Sequence, residues 1–276
     1  MRDSALFYGL VGLLALAAAC LRYLLMTGTY YVIVCKLFDR KFRKYKINPD
    51  RVPAEAIRSE MTWALLNNVN YAILAVFTYI LYELGYLKLY FEWHEYGTLY
   101  GLVIIPAVLL AQDTYFFAVH YLMHRRLFWR ASHHQIHHQF HNVSPWSAFS
   151  VHPIEGFIEL LFRPLLLMAV PTHPYTLLAL AMLSFALNII GHSGYELFPK
   201  NFATSPMTRF CSCATYHYLH HRHSNYNYGL FFNFWDRLLG TMHPDYPAFF
   251  AEIRARAGNE KQAAGYEAVT AAFRRM

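Results

Sequence analysis

The chain has 276 residues and carries 24 Lys and Arg against 17 Asp and Glu, a net charge of +7; 15% of its residues are charged and 56% are hydrophobic. Soluble domains have about a quarter charged residues, so the composition excludes an ordinary water-soluble fold and indicates a membrane protein. The basic excess does not indicate a nucleic-acid partner, because the Lys and Arg residues stand between apolar runs rather than on a folded polar face.

The first apolar run, over residues 5–35, is long enough for a tilted or kinked membrane span. It is interrupted by Arg22, whose charge is costly inside a bilayer and requires an explanation. A signal peptide cut after Ala19 is the alternative, but the residues that follow are apolar rather than a polar mature terminus. We therefore expect a first span here.

Three further apolar segments follow. Residues 62–82 predict a second span and residues 97–119 a third, in which Asp113 is the only charged residue. Residues 157–190 contain two shorter runs separated by prolines, which predict a helical hairpin that does not cross completely. The sequence thus predicts an all-α fold: a multi-pass transmembrane helical bundle with a histidine-rich helical cap.

The Lys and Arg residues predict which side that cap faces. Residues 36–58 hold eight of them, residues 125–130 hold three and the region after residue 191 holds nine, whereas the loop 84–96 has Lys88 alone. By the positive-inside rule the basic segments and the cap face the cytoplasm, in a bacterial inner membrane or the endoplasmic reticulum. We expect one domain over residues 1–276, ending in a short solvated helix over the last twenty residues.

Histidines are concentrated in three motifs on that same side. The motifs are His120-x-x-x-His124, His134-x-x-His137-His138 and His217-x-x-His220-His221. Residues three or four apart share a helix face, so each motif is expected to direct its imidazoles toward one point. Eight imidazoles exceed the ligand needs of a single ion, which predicts two metal ions. His192, at the end of the hairpin, is the candidate ninth ligand.

Asp113 lies within about 40° of His120 and His124 around the helix axis. Metal-bound histidines commonly donate their second nitrogen to a carboxylate, so we assign Asp113 this supporting role. The alternative is a hydrogen-bonded residue in helix packing.

Other histidines are expected outside the site. The angular spacing places His133 and His223 at the surface and leaves His141 ambiguous. His152, in His152-Pro-Ile-Glu155, either lines the site or begins a helix, and both readings remain open. His94 and His173 fall on the opposite side of the membrane, and His243 falls in a loop.

The order of these motifs resembles the fatty acid hydroxylase and sterol desaturase superfamily, whose members are integral-membrane di-iron oxygenases. The resemblance runs over residues 113–241 and includes Asp113-Thr114, His152-Pro-x-Glu155, Gly191-His-Ser-Gly194, Asn227-Tyr-Gly229, Trp235-Asp-Arg and Gly240-Thr241. It implies nine metal ligands: His120, His124, His134, His137, His138, His192, His217, His220 and His221. Some relatives have a further histidine four residues before the one that matches His192; here that residue is Asn188.

The resemblance implies an enzyme that uses two iron ions and O2 to hydroxylate or desaturate a sterol or fatty-acyl lipid. Nearby carboxylates are expected to tune the ions without binding them; the candidates are Asp113, Glu155, Glu196 and Asp236. No haem-binding or flavin-binding pattern occurs, so the electrons are expected from an external cytochrome b5-like or ferredoxin-like donor.

Two other functions are compatible with histidine-rich membrane segments. A zinc-dependent membrane hydrolase typically needs an acidic residue within an HExxH motif, which none of the three motifs has. A non-catalytic metal-binding or metal-transporting protein would place its ligands near the middle of the bilayer, whereas these motifs follow the ends of the apolar runs.

Overall fold

The computed structural model describes residues 2–257, which form helices connected by loops and contain isolated bridging pairs but no β-strand. The α-helices are α1 (Arg2–Tyr30), α2 (Asp39–Phe42), α3 (Ala54–Asn67), α4 (Val69–Glu83), α5 (Gly97–Met123), α6 (Arg126–Ala131), α7 (Gln135–His138), α8 (Pro153–Leu160), α9 (Phe162–Ala169), α10 (Pro174–Gly191), α11 (Ala214–Arg222), α12 (Phe234–Leu239) and α13 (Tyr246–Arg256). This confirms the predicted all-α fold. The helix predicted for the last twenty residues lies outside the described residues.

Four helical segments among residues 2–257 are long and apolar enough to cross a bilayer: Ser4–Leu37, Ala54–Glu83, Gly97–Met123 and Pro174–Gly191. The first includes a π-helical turn after α1, and the second consists of α3 and α4. Their leucines and other large apolar side chains are extensively exposed, as lipid contact requires. The protein is an integral membrane protein.

The predicted hairpin differs between its two arms. Its second arm is the continuous 18-residue helix α10, but its first arm is divided into α8 and α9 at Leu161. Pro164 explains the division, because a proline removes one helical hydrogen bond and clashes with the carbonyl group four residues earlier, here that of Leu160. The break leaves α8 short, with its N-terminal end beside the histidine motifs.

Two asparagines at the junction of α3 and α4 hold the start of α8. The Asn70 side-chain amide donates to Asn67 Oδ1 at 2.9 Å and to the Pro153 carbonyl oxygen at 2.8 Å. Gly156 permits the close approach of the two helices, since a Cβ atom there would lie 1.9 Å from Asn67 Oδ1. These polar residues in an apolar span therefore fix the position of α8 and of the Glu155 side chain that it carries.

Helix α11 forms the centre of the cap. Its residues 214–221 are all buried, although half of the eight are Thr215 and three histidines. Its apolar residues Tyr216 and Leu219 pack with Cys213 against Tyr246 and Phe250 of α13. This packing leaves the histidines of α11 facing the ends of α5 and α10.

Candidate metal centre

Nine histidines meet at the C-terminal ends of α5 and α10 in two groups. The five-histidine group is His120, His124, His134, His138 and His220; the four-histidine group is His137, His192, His217 and His221. Within each group, one ring nitrogen from every member lies within 4.8 Å of the others. The groups are adjacent, since the ring centroids of His138 and His221 are 5.1 Å apart. These are the nine histidines that the sequence predicted as ligands; metal binding by them stays a prediction.

The second and third motifs each divide between the two groups. His134 and His138, four residues apart, share the five-histidine group, whereas His137 belongs to the four-histidine group. The expectation that each motif points at a single centre is wrong here, because consecutive residues such as His137 and His138 diverge by about 100° around a helix axis. Each of these two motifs thereby supplies side chains to both groups and links them.

Backbone carbonyl groups fix the protonation of several rings. His120 Nδ1 is 2.8 Å from the Tyr228 carbonyl oxygen, and His220 Nδ1 is 2.7 Å from that of Tyr226. A carbonyl oxygen only accepts, so each Nδ1 carries the proton and each Nε2 keeps a lone pair. In the four-histidine group, His192 Nδ1 donates in the same way to the Asn188 carbonyl oxygen of α10, at 3.0 Å.

These lone pairs converge. His120 Nε2 lies 3.2 Å from His134 Nε2, and His217 Nε2 lies 2.8 Å from His192 Nε2. Where both nitrogens of such a pair carry lone pairs they form no hydrogen bond, and a cation between them favours the approach. Nitrogens bound to one ion at about 2.1 Å lie roughly 3 Å apart, which fits the first of these separations. The donor set therefore fits a metal ion in each group, since neutral imidazole binds iron, zinc and copper.

Burial keeps the imidazoles neutral. It lowers the pKa of His137 to about 4 and that of His220 to about 3, from a usual value of about 6.5. The pKa of His221 is also well below its usual range, because of burial and, secondarily, the neighbouring histidines. Neutral rings are the form that binds a metal, so no proton has to leave these side chains before binding near neutral pH.

Glu155 is the carboxylate that contacts a histidine of the centre. Its Oε1 is 2.7 Å from His134 Nδ1, and both side chains are almost completely buried. His152 accepts a hydrogen bond from the backbone N–H of Ile154 and so caps α8, and it belongs to neither group. The His152-Pro-Ile-Glu155 segment therefore both begins a helix and reaches the site, but through its glutamate.

Asp113 differs from its predicted role. The sequence predicted a hydrogen bond between this carboxylate and a histidine, but Asp113 Oδ1 accepts from the backbone N–H groups of Leu230, Phe231 and Phe232, at 3.0, 2.6 and 3.2 Å. The correct reading is the packing alternative, because the carboxylate ties α5 to residues 230–232 instead of a ring. It acts on the site indirectly, by holding the loop that carries the Tyr228 carbonyl group.

Asp236 holds the same loop from its other side. It accepts from the backbone N–H groups of Tyr228 at 2.9 Å and Gly229 at 2.8 Å, and from the hydroxyl groups of Tyr216 and Thr241. Gly229 is required by the tightness of this turn, since a Cβ atom there would lie 2.0 Å from the Phe232 carbonyl oxygen. The Asn227-Tyr-Gly229 and Trp235-Asp-Arg motifs thus place the carbonyl group that orients His120.

The remaining histidines lie outside both groups. His133 packs on His152 with ring centroids 4.2 Å apart, and His223 is exposed. The ambiguous His141 places Nδ1 3.1 Å from the carbonyl oxygen of His221, so it supports a member of the four-histidine group through its backbone. His94, His173 and His243 also belong to neither group.

Asn188 occupies the position where some relatives have a further histidine. Its side-chain amide donates to the Ala148 carbonyl oxygen at 2.8 Å, and its Oδ1 is buried without a hydrogen-bond partner. The four-histidine group consequently has one imidazole fewer than its neighbour.

The chain is similar in sequence to known proteins. The sequence profile of the fatty acid hydroxylase family matches residues 105–241. The chain is 31% identical over 175 residues to the Delta(7)-sterol 5(6)-desaturase of Eremothecium gossypii, covering 59% of this chain and 48% of the relative. It is 27% identical over 229 residues to the enzyme of the same name from Candida glabrata, covering 80% of this chain and 57% of the relative.

A human protein, lathosterol oxidase, is 27% identical over 226 residues, which are 81% of this chain and 71% of the relative. The chain thus spans about half the length of the two fungal relatives. No solved structure matches the chain.

Proposed function

Since the chain belongs to the fatty acid hydroxylase and sterol desaturase superfamily, we propose that it is a membrane oxidoreductase that uses two histidine-bound iron ions and O2 to hydroxylate or desaturate a lipid. The observation that carries this proposal is the convergence of nine buried imidazoles in two adjacent groups. A single structural zinc site needs four ligands, so nine imidazoles are matched to two ions.

Iron is proposed for both groups because an unactivated C–H bond yields only to redox chemistry with O2, which iron supplies and zinc does not. The protein holds the ions with neutral rings, and it orients those rings through backbone carbonyl groups and Glu155. Iron-bound imidazoles leave the positive charge of the ions uncompensated, so the buried Glu155 carboxylate also supplies negative charge through the His134 ring.

A small cavity on the membrane side of the site is the proposed place for the reacting carbon. It has a volume of about 80 Å³ and lies between α5, α8 and α10, with Phe116, Ala148 and Asn188 among its lining residues. Ala148 and Asn188 belong to segments that contact the four-histidine group, while Phe116 packs on the His120 ring at a centroid distance of 4.8 Å. A lipid entering from the bilayer would therefore approach both ions from this side.

We propose a sterol as the first substrate to test, because the two fungal relatives are sterol desaturases by name and the human relative is a lathosterol oxidase. A fatty-acyl lipid is the second, because the matching family is named for fatty acid hydroxylation. We place the centre on the cytoplasmic side, where the basic segments are available to an acidic electron donor.

Lipid analysis tests the proposal. Total lipids from cells that express the wild type are compared with those from cells expressing His137→Ala, with His223→Ala as a control because His223 is exposed and outside both groups. Lipids heavier by one oxygen or lighter by two hydrogens are expected with the wild type and the control only. Identical profiles from all three strains, with sterol and fatty-acyl lipids supplied, would contradict the proposal.

A further inference from the structure

An apolar groove lies within the membrane-spanning part, apart from the histidine groups. Its volume is about 690 Å³, and it is lined by α1, α4, α9 and α10. On α1 the lining residues run from Val11 through three alanines to Arg22, a length of about 16 Å at the helical rise. Ligand sites commonly have volumes of about 300–1,000 Å³, so the groove accommodates a lipid-sized molecule.

Two arginines form the inner end of this groove. The Arg22 guanidinium lies 4.6 Å from the centroid of the Tyr71 ring and 4.6 Å from that of Phe185, and the Arg163 guanidinium lies 5.2 Å from the Tyr71 ring. Both arginines line the groove, and Arg163 and Tyr71 also line the small cavity near the metal centre. The two positive charges therefore lie on one aromatic ring and repel each other.

Neither charge is neutralised by the protein. Within residues 2–257, neither Arg22 nor Arg163 forms an ion pair with a carboxylate, including Glu159 four residues before Arg163. The Nε and Nη2 atoms of Arg22 are buried and have no hydrogen-bond partner. Cation–π contacts are weaker than the cost of placing an arginine at the centre of a bilayer. The rings alone do not balance the cost of two adjacent charges.

We infer that the groove binds a lipid-like carboxylic acid, with its carboxylate between Arg22 and Arg163 and its apolar body along α1 and α4. A carboxylate accepts paired hydrogen bonds from a guanidinium and supplies the missing negative charge. The groove beyond the arginines is lined by apolar residues such as Leu74, Leu87 and Leu178, which fit a hydrocarbon body.

The depth of the arginines distinguishes a carboxylic acid from a bilayer phospholipid. Arg22 lies near the middle of the Ser4–Leu37 segment, and Tyr71 lies near the middle of Ala54–Glu83. The phosphates of bilayer phospholipids lie at the membrane surface, about 15 Å from the centre of a 30 Å hydrocarbon core. A free carboxylic acid within the groove reaches the arginines, and a phospholipid anchored at the surface does not. The inference does not depend on the proposed oxidation.

Binding of palmitic acid and its uncharged methyl ester to the purified, iron-loaded protein tests the inference. Native mass spectrometry from an uncharged detergent measures both affinities, at a pH where the acid is ionised. We expect one palmitate per chain and binding of methyl palmitate weaker by about tenfold or more, since hydrogen bonds to charged groups contribute about 1.5–3 kcal/mol. This comparison uses the wild type alone and does not depend on the folding of any variant.

Substitutions then locate the site. Arg22→Gln and Arg163→Gln are each expected to weaken palmitate binding about tenfold or more, while Arg40→Gln, at an exposed position of α2, leaves it unchanged. Equal binding of acid and ester, or unchanged palmitate binding in both groove variants, would overturn the inference. Tighter binding of an alkyl phosphate than of palmitate would overturn the assignment of a carboxylate. Loss of lipid oxidation in cells leaves each of these results unaffected.

Discussion

Replacing Glu155 tests whether the two histidine groups are separate metal sites. Glu155 Oε1 lies 2.7 Å from His134 Nδ1 in a fully buried contact, and His134 belongs to the five-histidine group. Glu155→Ala leaves the ring N–H without an acceptor, at a cost of about 1–3 kcal/mol, which corresponds to about 5- to 150-fold in affinity. Loss of such supporting residues typically weakens metal binding about 10- to 100-fold.

The assay is an anaerobic titration of metal-free protein with Fe²⁺ against a chelator of known affinity. The wild type is expected to bind two ions, and Glu155→Ala should weaken one of them by the calculated factor while the other is unchanged. Glu155→Gln should have a smaller effect, because its amide oxygen still accepts a hydrogen bond but carries no charge. Glu55→Gln, at an exposed position of α3 and outside both groups, is the control. Equal weakening of both ions in Glu155→Ala would refute the division into two sites.

Three further outcomes follow from the structure. Gly229→Ala should lower the thermal stability and release iron, because the added Cβ would lie 2.0 Å from a backbone carbonyl oxygen. Gly9→Ala should do neither, because no atom lies within 4 Å of the Cβ that it adds. Asp113→Ala leaves three backbone N–H groups without their acceptor and should reduce the free energy of unfolding by about 1–3 kcal/mol or more in chemical denaturation; an unchanged midpoint would contradict its structural role. Lowering the pH from about 7.5 to about 5.5 should destabilise the metal-free protein. Histidines of the unfolded chain gain protons below about pH 6.5, whereas His137 in the folded protein stays neutral because burial lowers its pKa to about 4. Each such residue reduces the free energy of unfolding by about 1.4 kcal/mol, and equal melting temperatures at the two pH values would contradict this.

The sequence was sufficient to predict the helical architecture and the histidines that come together. Apolar runs at bilayer length predict spans without any knowledge of tertiary contacts, and histidines four residues apart share a side of a helix. The division at Leu161 was not predicted, although Pro164 carries the signal for it.

The assignment of each ring to a group was beyond the sequence. His137 belongs to one group and the other two histidines of its motif belong to the other; the same is true of His220. This assignment depends on how three separate segments pack. The acceptors of His120 and His220 are the carbonyl groups of Tyr228 and Tyr226, and a backbone carbonyl leaves no residue-type signature. Side-chain patterns thus identify ligands, while the groups that orient them require the tertiary structure.

The structure only partly explains how the charge of Arg22 is stabilised within an apolar span. The sequence showed a charge in an apolar span without an evident partner. Arg22 contacts two aromatic rings and lies near a second arginine, but it pairs with no carboxylate within the described residues. Its charge is therefore available to a ligand in the groove. This is why the inferred acid belongs in the groove rather than at the metal centre.

The metal content of the purified protein tests the central claim most directly. Elemental analysis after anaerobic loading with Fe²⁺ and removal of excess metal should give two irons per folded chain, and fewer in His137→Ala, which lacks one imidazole of the four-histidine group. A folded wild-type protein that retains no iron, or that retains the same amount as His137→Ala, would contradict the claim that these histidines bind a pair of iron ions.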